Sequence, residues 1–312
     1  MSATQASVMG VLFKRIAFIG AGQMGGRVAR LLMRTGHELT VCDPAFSVRQ
    51  AFEDEGATVA ETPADCAVAD MVIIFVMNGE QALDVVLGNS GLLSGIDAAA
   101  PPLVLVMSTI LPNDALKIAA ALAPKGVHSI DAPVTGGLTL AEQGRLLLLV
   151  GGDSNDIDKA QPVLALMGRE IIRCGPFGAG LTAKILNNML GTSNLYLMQE
   201  CYRLGMAYGL SAANVAAILE KGAGQNFWTR DPDDSIVQFD LLSRQRDYFG
   251  TVLKASVKDW AYAVALADKV EMKLPFLGAM ISAVTEVDGD ALHNDWRKFI
   301  DAQPNRVQGW SL

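Results

Sequence analysis

Lys184, Asn187, Asn188 and Gly191 are spaced i, i+3, i+4 and i+7, so a helix through them carries all four on one face. Its other faces carry Ile185, Leu186, Met189, Leu190 and Leu195. A polar stripe on an otherwise apolar helix implies burial, with the stripe lining a cavity or a polar network. A lysine held there is desolvated, which lowers its pKa toward the range useful for proton transfer. The same spacing also fits a solvated lysine on a surface helix beside two amides. A second run, Asp131-Ala132-Pro133-Val134-Thr135-Gly136-Gly137, sets two glycines behind a hydroxyl just after an apolar stretch. Such a run exposes backbone N–H groups that can cradle a carboxylate; an ordinary turn with a Gly-Gly hinge has the same pattern.

A third constellation points to a nucleotide. Gly20-Ala21-Gly22-Gln23-Met24-Gly25 follows a strand-like run and opens a helical one. Glycines there allow a tight turn and let the backbone approach a pyrophosphate at the helix N-terminus. Asp43 stands 18 residues after Gly25, where a carboxylate accepts hydrogen bonds from the ribose hydroxyls of an adenosine. Asp43 also fits a plain turn residue before Pro44. Pro44 and Ala45 leave no arginine immediately after the carboxylate, so NAD is expected over NADP; Arg49 reaches back only if the loop folds over. Met77, Asn78, Ser108 and Thr109 end two further strand-like runs and are candidates for holding the cofactor riboses. Ser108 and Thr109 serve equally as helix N-caps before Pro112. Lys258-Asp259, in a helical stretch, reads by itself as a solvated pair.

The elements that would position these groups alternate. Strands are expected at 15–19, 38–42, 71–76, 103–107 and 127–130, separated by amphipathic helical stretches, with further strands at 146–150 and 170–173. Parallel neighbours need such crossovers, and unpatterned runs such as Val72-Ile73-Ile74-Phe75-Val76 suit strands buried on both faces. After Gly180 strand-like runs vanish. Helical periodicity continues to Phe299, with breaks near Gly222-Ala223-Gly224, Asp231-Pro232 and Pro275. The expected fold is α/β: a Rossmann-type, doubly wound N-terminal domain (1–177) followed by an all-α C-terminal domain (178–312). Residues 1–12 and 304–312 read as tails.

The chain of 312 residues is 51% apolar and 19% charged, which is globular composition. It carries 25 Lys and Arg against 33 Asp and Glu, a net of −8 with no basic stripe, so no nucleic-acid partner is expected. No apolar run approaches the roughly 18 residues of a bilayer span, and the first residues lack a secretory pattern. Cys42, Cys66, Cys174 and Cys201 have no paired spacing. They read as thiols in a reducing, cytoplasmic setting, with neither a disulfide framework nor a metal site.

Together these blocks resemble the β-hydroxyacid dehydrogenase family, whose members include 3-hydroxyisobutyrate, tartronate-semialdehyde and threonate dehydrogenases. The glycine loop, the 131–137 run, the 180–188 segment and Lys258-Asp259 occur in the family's order over nearly the whole chain. The resemblance implies that Lys184 is the catalytic lysine and Asn188 a substrate contact, and that Thr135, Gly136 and Gly137 hold a small carboxylate substrate. It also implies that Lys258 reaches the cofactor or substrate. The long helix starting near Gly180 carries these groups from one domain into the other, so a homodimer or homotetramer paired through the helical domain is expected. The implied reaction is NAD-dependent hydride transfer to or from a 3-hydroxy acid, or the corresponding semialdehyde or keto acid. Imine reductases share the layout but usually replace the lysine with Asp or Tyr; a non-catalytic dinucleotide-binding module need not keep Lys184 and Asn188 on one face. Three features depart from the family pattern. Thr135 stands where Ser is usual, Leu138-Thr139-Leu140-Ala141-Glu142 is bulkier than usual, and residues 226–247 are unusually charged.

Overall fold

The computed structural model describes residues 13–286 and 288–301. The tails expected at 1–12 and 304–312 lie outside the described residues. The chain divides into two compact units, one ending at Lys184 and the other beginning at Ile185.

The first unit alternates strand and helix: β1 (Arg15–Ile19), α1 (Gly25–Arg34), β2 (Glu38–Cys42), α2 (Phe46–Asp54), β3 (Thr58–Ala60), β4 (Met71–Ile74), α3 (Gly79–Leu87), α4 (Leu92–Gly95), β5 (Leu103–Val106), α5 (Pro112–Leu122), β6 (His128–Asp131), β7 (Val134–Thr135), α6 (Gly137–Glu142), β8 (Leu146–Gly151), α7 (Ser154–Met167) and β9 (Gly168–Gly175). The sheet order is β3-β2-β1-β4-β5-β6-β8-β7, with β9 also paired to β8. From β3 to β6 every pair is parallel. The strand order therefore reverses between β1 and β4, the position where such sheets open a crevice at their C-terminal edge.

Side-chain alternation explains the unpatterned strands. Met71 and Ile73 enter one core with Val28 and Leu32 of α1 and Ile157 and Leu164 of α7. Val72 and Ile74 enter the other with Ala82 and Val86 of α3 and Ala115 and Ile118 of α5. Helices thus cover both faces, and each must be fed by apolar residues. The sheet departs from uniform parallel pairing at its far side: β8 runs antiparallel to β6 and β7. The ten residues between Thr135 and Leu146, which include α6, are fewer than the dozen or more a parallel crossover needs, and β8 pairs antiparallel to β7.

The second unit is helical. It holds most of α8 (Ala179–Ala207), then α9 (Ala212–Lys221), α10 (Pro232–Arg244), α11 (Arg246–Lys269), α12 (Pro275–Thr285) and α13 (Gly289–Asp301). Aromatic contacts centre it: Tyr202 stacks on Phe239 with ring centroids 4.7 Å apart, and Tyr196 packs on Trp260 at 5.4 Å. The charge-rich 226–247 stretch has a structural use. Asp231 accepts the Asp233 and Asp234 N–H groups as the cap of α10, and Arg244 pairs with Asp240 one turn earlier. Two helix ends were not signalled by the expected breaks: the turn through Gly209, in a left-handed conformation, and the break at Gln245.

Candidate active site

The parallel strands bring the nucleotide constellation to one edge of the sheet. Gly20 leaves β1 with φ +94°, and a Cβ there would lie 2.5 Å from the Phe75 carbonyl oxygen. A Cβ on Gly25 would lie 2.2 Å from the Gly20 oxygen, so this glycine lets α1 pack against the turn. Gly22 differs: nothing stands within 4 Å of its Cβ position. Gln23 follows in the exposed turn. Met24 is the N-cap of α1, makes no side-chain cap bond, and the first turn holds no acidic residue. The first turn of α1 thus brings no acidic side chain of its own to the helix's positive end, and the backbone before it is open at Gly22. Those features fit the pyrophosphate of a dinucleotide.

Asp43 follows β2 and is only 8% exposed. Its Oδ2 accepts the Ala21 N–H at 2.8 Å and its Oδ1 accepts the Ala45 N–H at 2.9 Å. The turn reading holds, and each carboxylate oxygen keeps a further acceptor position. Arg49 does fold back: its Nη1 donates to the Asp43 carbonyl at 2.5 Å and to the Pro44 carbonyl at 3.1 Å.

Past β4, Met77 is 74% exposed and its N–H donates to Gln81 Oε1. Asn78 caps α3, its Oδ1 accepting the Gln81 N–H at 2.9 Å. Past β5, the helix-cap reading of Ser108 and Thr109 is corrected: Leu111 occupies the N-cap of α5. The buried Ser108 hydroxyl instead accepts the Val76 N–H at 2.7 Å and ties β5 to β4, while Thr109 is half-buried beside it. Pro112 at the first position fixes where α5 begins.

Past β6, Thr135 pairs with Leu147 of β8. Gly136 (φ +139°) and Gly137 (φ +79°) then turn the chain into α6. Only glycine takes both conformations without strain, and successive N–H groups in such a turn form a concavity suited to anions. Asp131, the last residue of β6, is fully buried. Its Oδ1 accepts the Gly178 N–H at 2.7 Å and its Oδ2 accepts the Leu181 N–H at 2.8 Å. Burial pushes its pKa up, against the pull of these backbone donors.

On α8, Lys184 is 8% exposed. Asn187 is exposed and donates to Asn188 Oδ1 at 3.2 Å. Asn188, one turn after Lys184, is half-buried and donates through Nδ2 to Asp259 Oδ2 at 2.6 Å. A carboxylate only accepts, so this bond fixes the orientation of the Asn188 amide. The Lys258 ammonium lies 3.1 Å from Asp259 Oδ1 and 5.0 Å from the centre of the Tyr262 ring. Asp259 is buried, which corrects the reading of Lys258-Asp259 as a solvated pair. The expectation of a buried helix is corrected too: Leu186 and Leu190 are 55% and 62% exposed, while Lys184, two residues before Leu186, is covered. Among the described residues no cluster of His, Cys, Asp and Glu could hold a metal ion. No helix among them is long and apolar enough to cross a membrane.

Comparison with known proteins agrees with this geometry. Residues 15–175 match the family described as the NAD binding domain of 6-phosphogluconate dehydrogenase. Residues 178–298 match that described as NAD-binding of NADP-dependent 3-hydroxyisobutyrate dehydrogenase. A 3-hydroxyisobutyrate dehydrogenase of Pseudomonas aeruginosa is 38% identical over 68% of this chain and 71% of its own length. An NAD-dependent L-serine dehydrogenase of the same organism is 39% identical over 69% and 72%. The solved 3-hydroxyisobutyrate dehydrogenase of Mycobacterium tuberculosis with L-serine superposes with a TM-score of 0.75 at 28% identity, covering 93% of this chain and 99% of that one. With the glycine loop, the 131–137 run, the lysine–asparagine helix and Lys258-Asp259 in order on this fold, the chain belongs to the β-hydroxyacid dehydrogenase family.

Proposed function

We propose that this protein is an NAD-dependent oxidoreductase acting on a small 3-hydroxy acid, or on the corresponding semialdehyde or keto acid. NAD, when bound, supplies the hydride acceptor, and its reduced form the donor. Gly20, Gly22, Gln23, Met24 and Gly25 receive the pyrophosphate, Asp43 the adenosine ribose, and Met77, Asn78 and Thr109 the rest of the nucleotide, with Lys258 reaching cofactor or substrate. The Thr135-Gly136-Gly137 turn anchors the substrate carboxylate. Lys184 gives a proton to the carbonyl oxygen in reduction and takes the hydroxyl proton in oxidation; Asn188 orients that oxygen.

The observation that carries this reading is Lys184, a lysine with 8% exposure, standing one helical turn from an amide fixed by Asp259. Burial disfavours a charged ammonium, which readies a lysine for proton transfer. A solvated lysine on a surface helix would not show this burial. Imine reductases usually carry Asp or Tyr there, and a binding module has no use for the pair. The test is a panel of small 3-hydroxy acids with NAD, followed by the absorbance of reduced nicotinamide. Turnover of at least one hydroxy acid supports the reading, and reduction of cyclic imines alone would favour the imine reductase alternative.

A boundary at 177/178 is supported by the change from alternating strands and helices to helices alone at Ala179. A homodimer or homotetramer is supported by the leucines that α8 leaves exposed, Leu186, Leu190, Leu197 and Leu204. Four free cysteines support a reducing, cytoplasmic setting.

A further inference from the structure

We infer that Asp131 is a positioning residue: its buried carboxylate locks the first turn of α8 to the sheet and thereby sets where Lys184 stands. The inference rests on Lys184 as the acid–base group. The first N–H groups of a helix have no partner within it. Helix α8 has no acidic residue in its own first turn. Asp131 supplies the acceptors from 47 and 50 residues away, taking the Gly178 N–H at 2.7 Å and the Leu181 N–H at 2.8 Å. Hydrogen bonds to an ionised acceptor are roughly twice as strong as neutral ones, and the positive helix end adds to them.

The surroundings are shaped around this carboxylate. A Cβ on Gly151 would lie 2.5 Å from Asp131 Oδ1, and one on Gly180 would lie 2.7 Å from Oδ2 and 2.2 Å from the Leu149 carbonyl oxygen. Both glycines are therefore needed for the sheet and the helix start to close on Asp131. Asp131 itself is held on both sides by the sheet, opposite Val106 of β5 and Gly151 of β8. Leu181 lies three residues before Lys184 on the same helix, so a displaced first turn carries Lys184 with it. A shift of about 1 Å at an acid–base group is enough to lower turnover by roughly a hundredfold. The glycine loop and Asp43 follow β1 and β2, which β4 and β5 separate from β6, so the pyrophosphate and adenosine-ribose contacts are expected to survive a change at Asp131.

Asp131→Asn keeps the size of the side chain but turns one acceptor into an NH2 group that faces an N–H donor. Steady-state kinetics, NADH titration by fluorescence and thermal melting should be run on the wild type, Asp131→Asn, Asp131→Ser and Asp156→Asn. Asp156 is a second buried carboxylate of the same unit, bonded to His128 and Lys159 and remote from the proposed site. Asp131→Asn is expected to lower kcat about 10- to 100-fold, with KM and the NADH Kd within about twofold of wild type. Asp131→Ser, too short to reach both amides, should show the same split and carries the test if the Asn variant misfolds. Asp156→Asn should do the reverse, lowering Tm while keeping kcat. Wild-type kcat in the Asp131 variants would overturn the inference. So would losses of Tm and NADH affinity in step with kcat, the pattern of a general structural defect. Full turnover in Lys184→Arg would instead sink the acid–base reading itself, whatever Asp131 does.

Discussion

Arg49 Nη1 donates to the Asp43 carbonyl at 2.5 Å, so a cation beside the carboxylate proposed to receive the adenosine ribose is tied to that residue's own backbone. The guanidinium is held by the Asp43 and Pro44 carbonyls, while the anionic Asp43 carboxylate accepts the Ala21 and Ala45 N–H groups. A 2′-phosphate would meet that charge. Like-charge juxtaposition costs several kcal/mol when desolvated, so NADH should bind about a hundredfold more tightly than NADPH. Asp43→Asn should narrow that ratio; fluorescence titration measures both. Equal affinities in the wild type would mean that Arg49 leaves its carbonyls to receive the phosphate.

Gly22 and Gly25 should fail in opposite ways. A methyl on Gly22 meets no protein atom, so Gly22→Ala should fold normally while NADH affinity falls by about tenfold or more. A methyl on Gly25 would be driven into the Gly20 carbonyl oxygen, so Gly25→Ala should lose about 1–3 kcal/mol of stability. Urea unfolding beside NADH titration separates the two. Loss of stability in the Gly22 variant would show that its open space is not held for a ligand.

Asp156 makes acid stability predictable in sign. Burial alone would raise its pKa, but the bonds from Lys159 and His128 outweigh it and hold the folded value below the ordinary one. A depressed carboxylate stabilises the fold above its unfolded pKa of about 4, and that contribution is lost as pH falls through the folded value. Lys159→Ala should therefore cost about 0.5–1 kcal/mol at pH 7, since the lysine is largely exposed. The gap from wild type should close in strong acid. A gap that persists there would place the loss in packing rather than in the ion pair.

Much of this was legible in the residues. Met71–Ile74 had to be a strand buried on both faces, and Gly20, Gly22 and Gly25 with Asp43 had to share one edge of a parallel sheet. What was not legible depends on partners far away in the chain. Ser108 looks like a helix cap until Val76 is known to be its neighbour, and Asp259 looks solvated until Asn188, 71 residues earlier, is seen to donate to it. Asp131 belonged to a motif recognised for its glycines, but its bonds to Gly178 and Leu181 exist only once β6 is set beside the start of α8. Strands as short as Thr58–Ala60 and Val134–Thr135 leave no periodicity to read. The exposure of Leu186 and Leu190 beside a buried Lys184 inverts the amphipathic expectation, because propensity and period do not say which face a helix covers.

The central claim is that Lys184 moves a proton. Lys184→Ala should leave the NADH Kd nearly unchanged and lower turnover by roughly 10²–10⁴. Lys184→Arg discriminates more sharply, because a guanidinium keeps a positive charge in place but does not give up its proton near neutral pH. The decisive measurement is the turnover of Lys184→Arg with saturating NADH and any accepted substrate. Turnover reduced almost as far as in Lys184→Ala is the expected result. Near-normal turnover would make Lys184 a structural cation and contradict the mechanism.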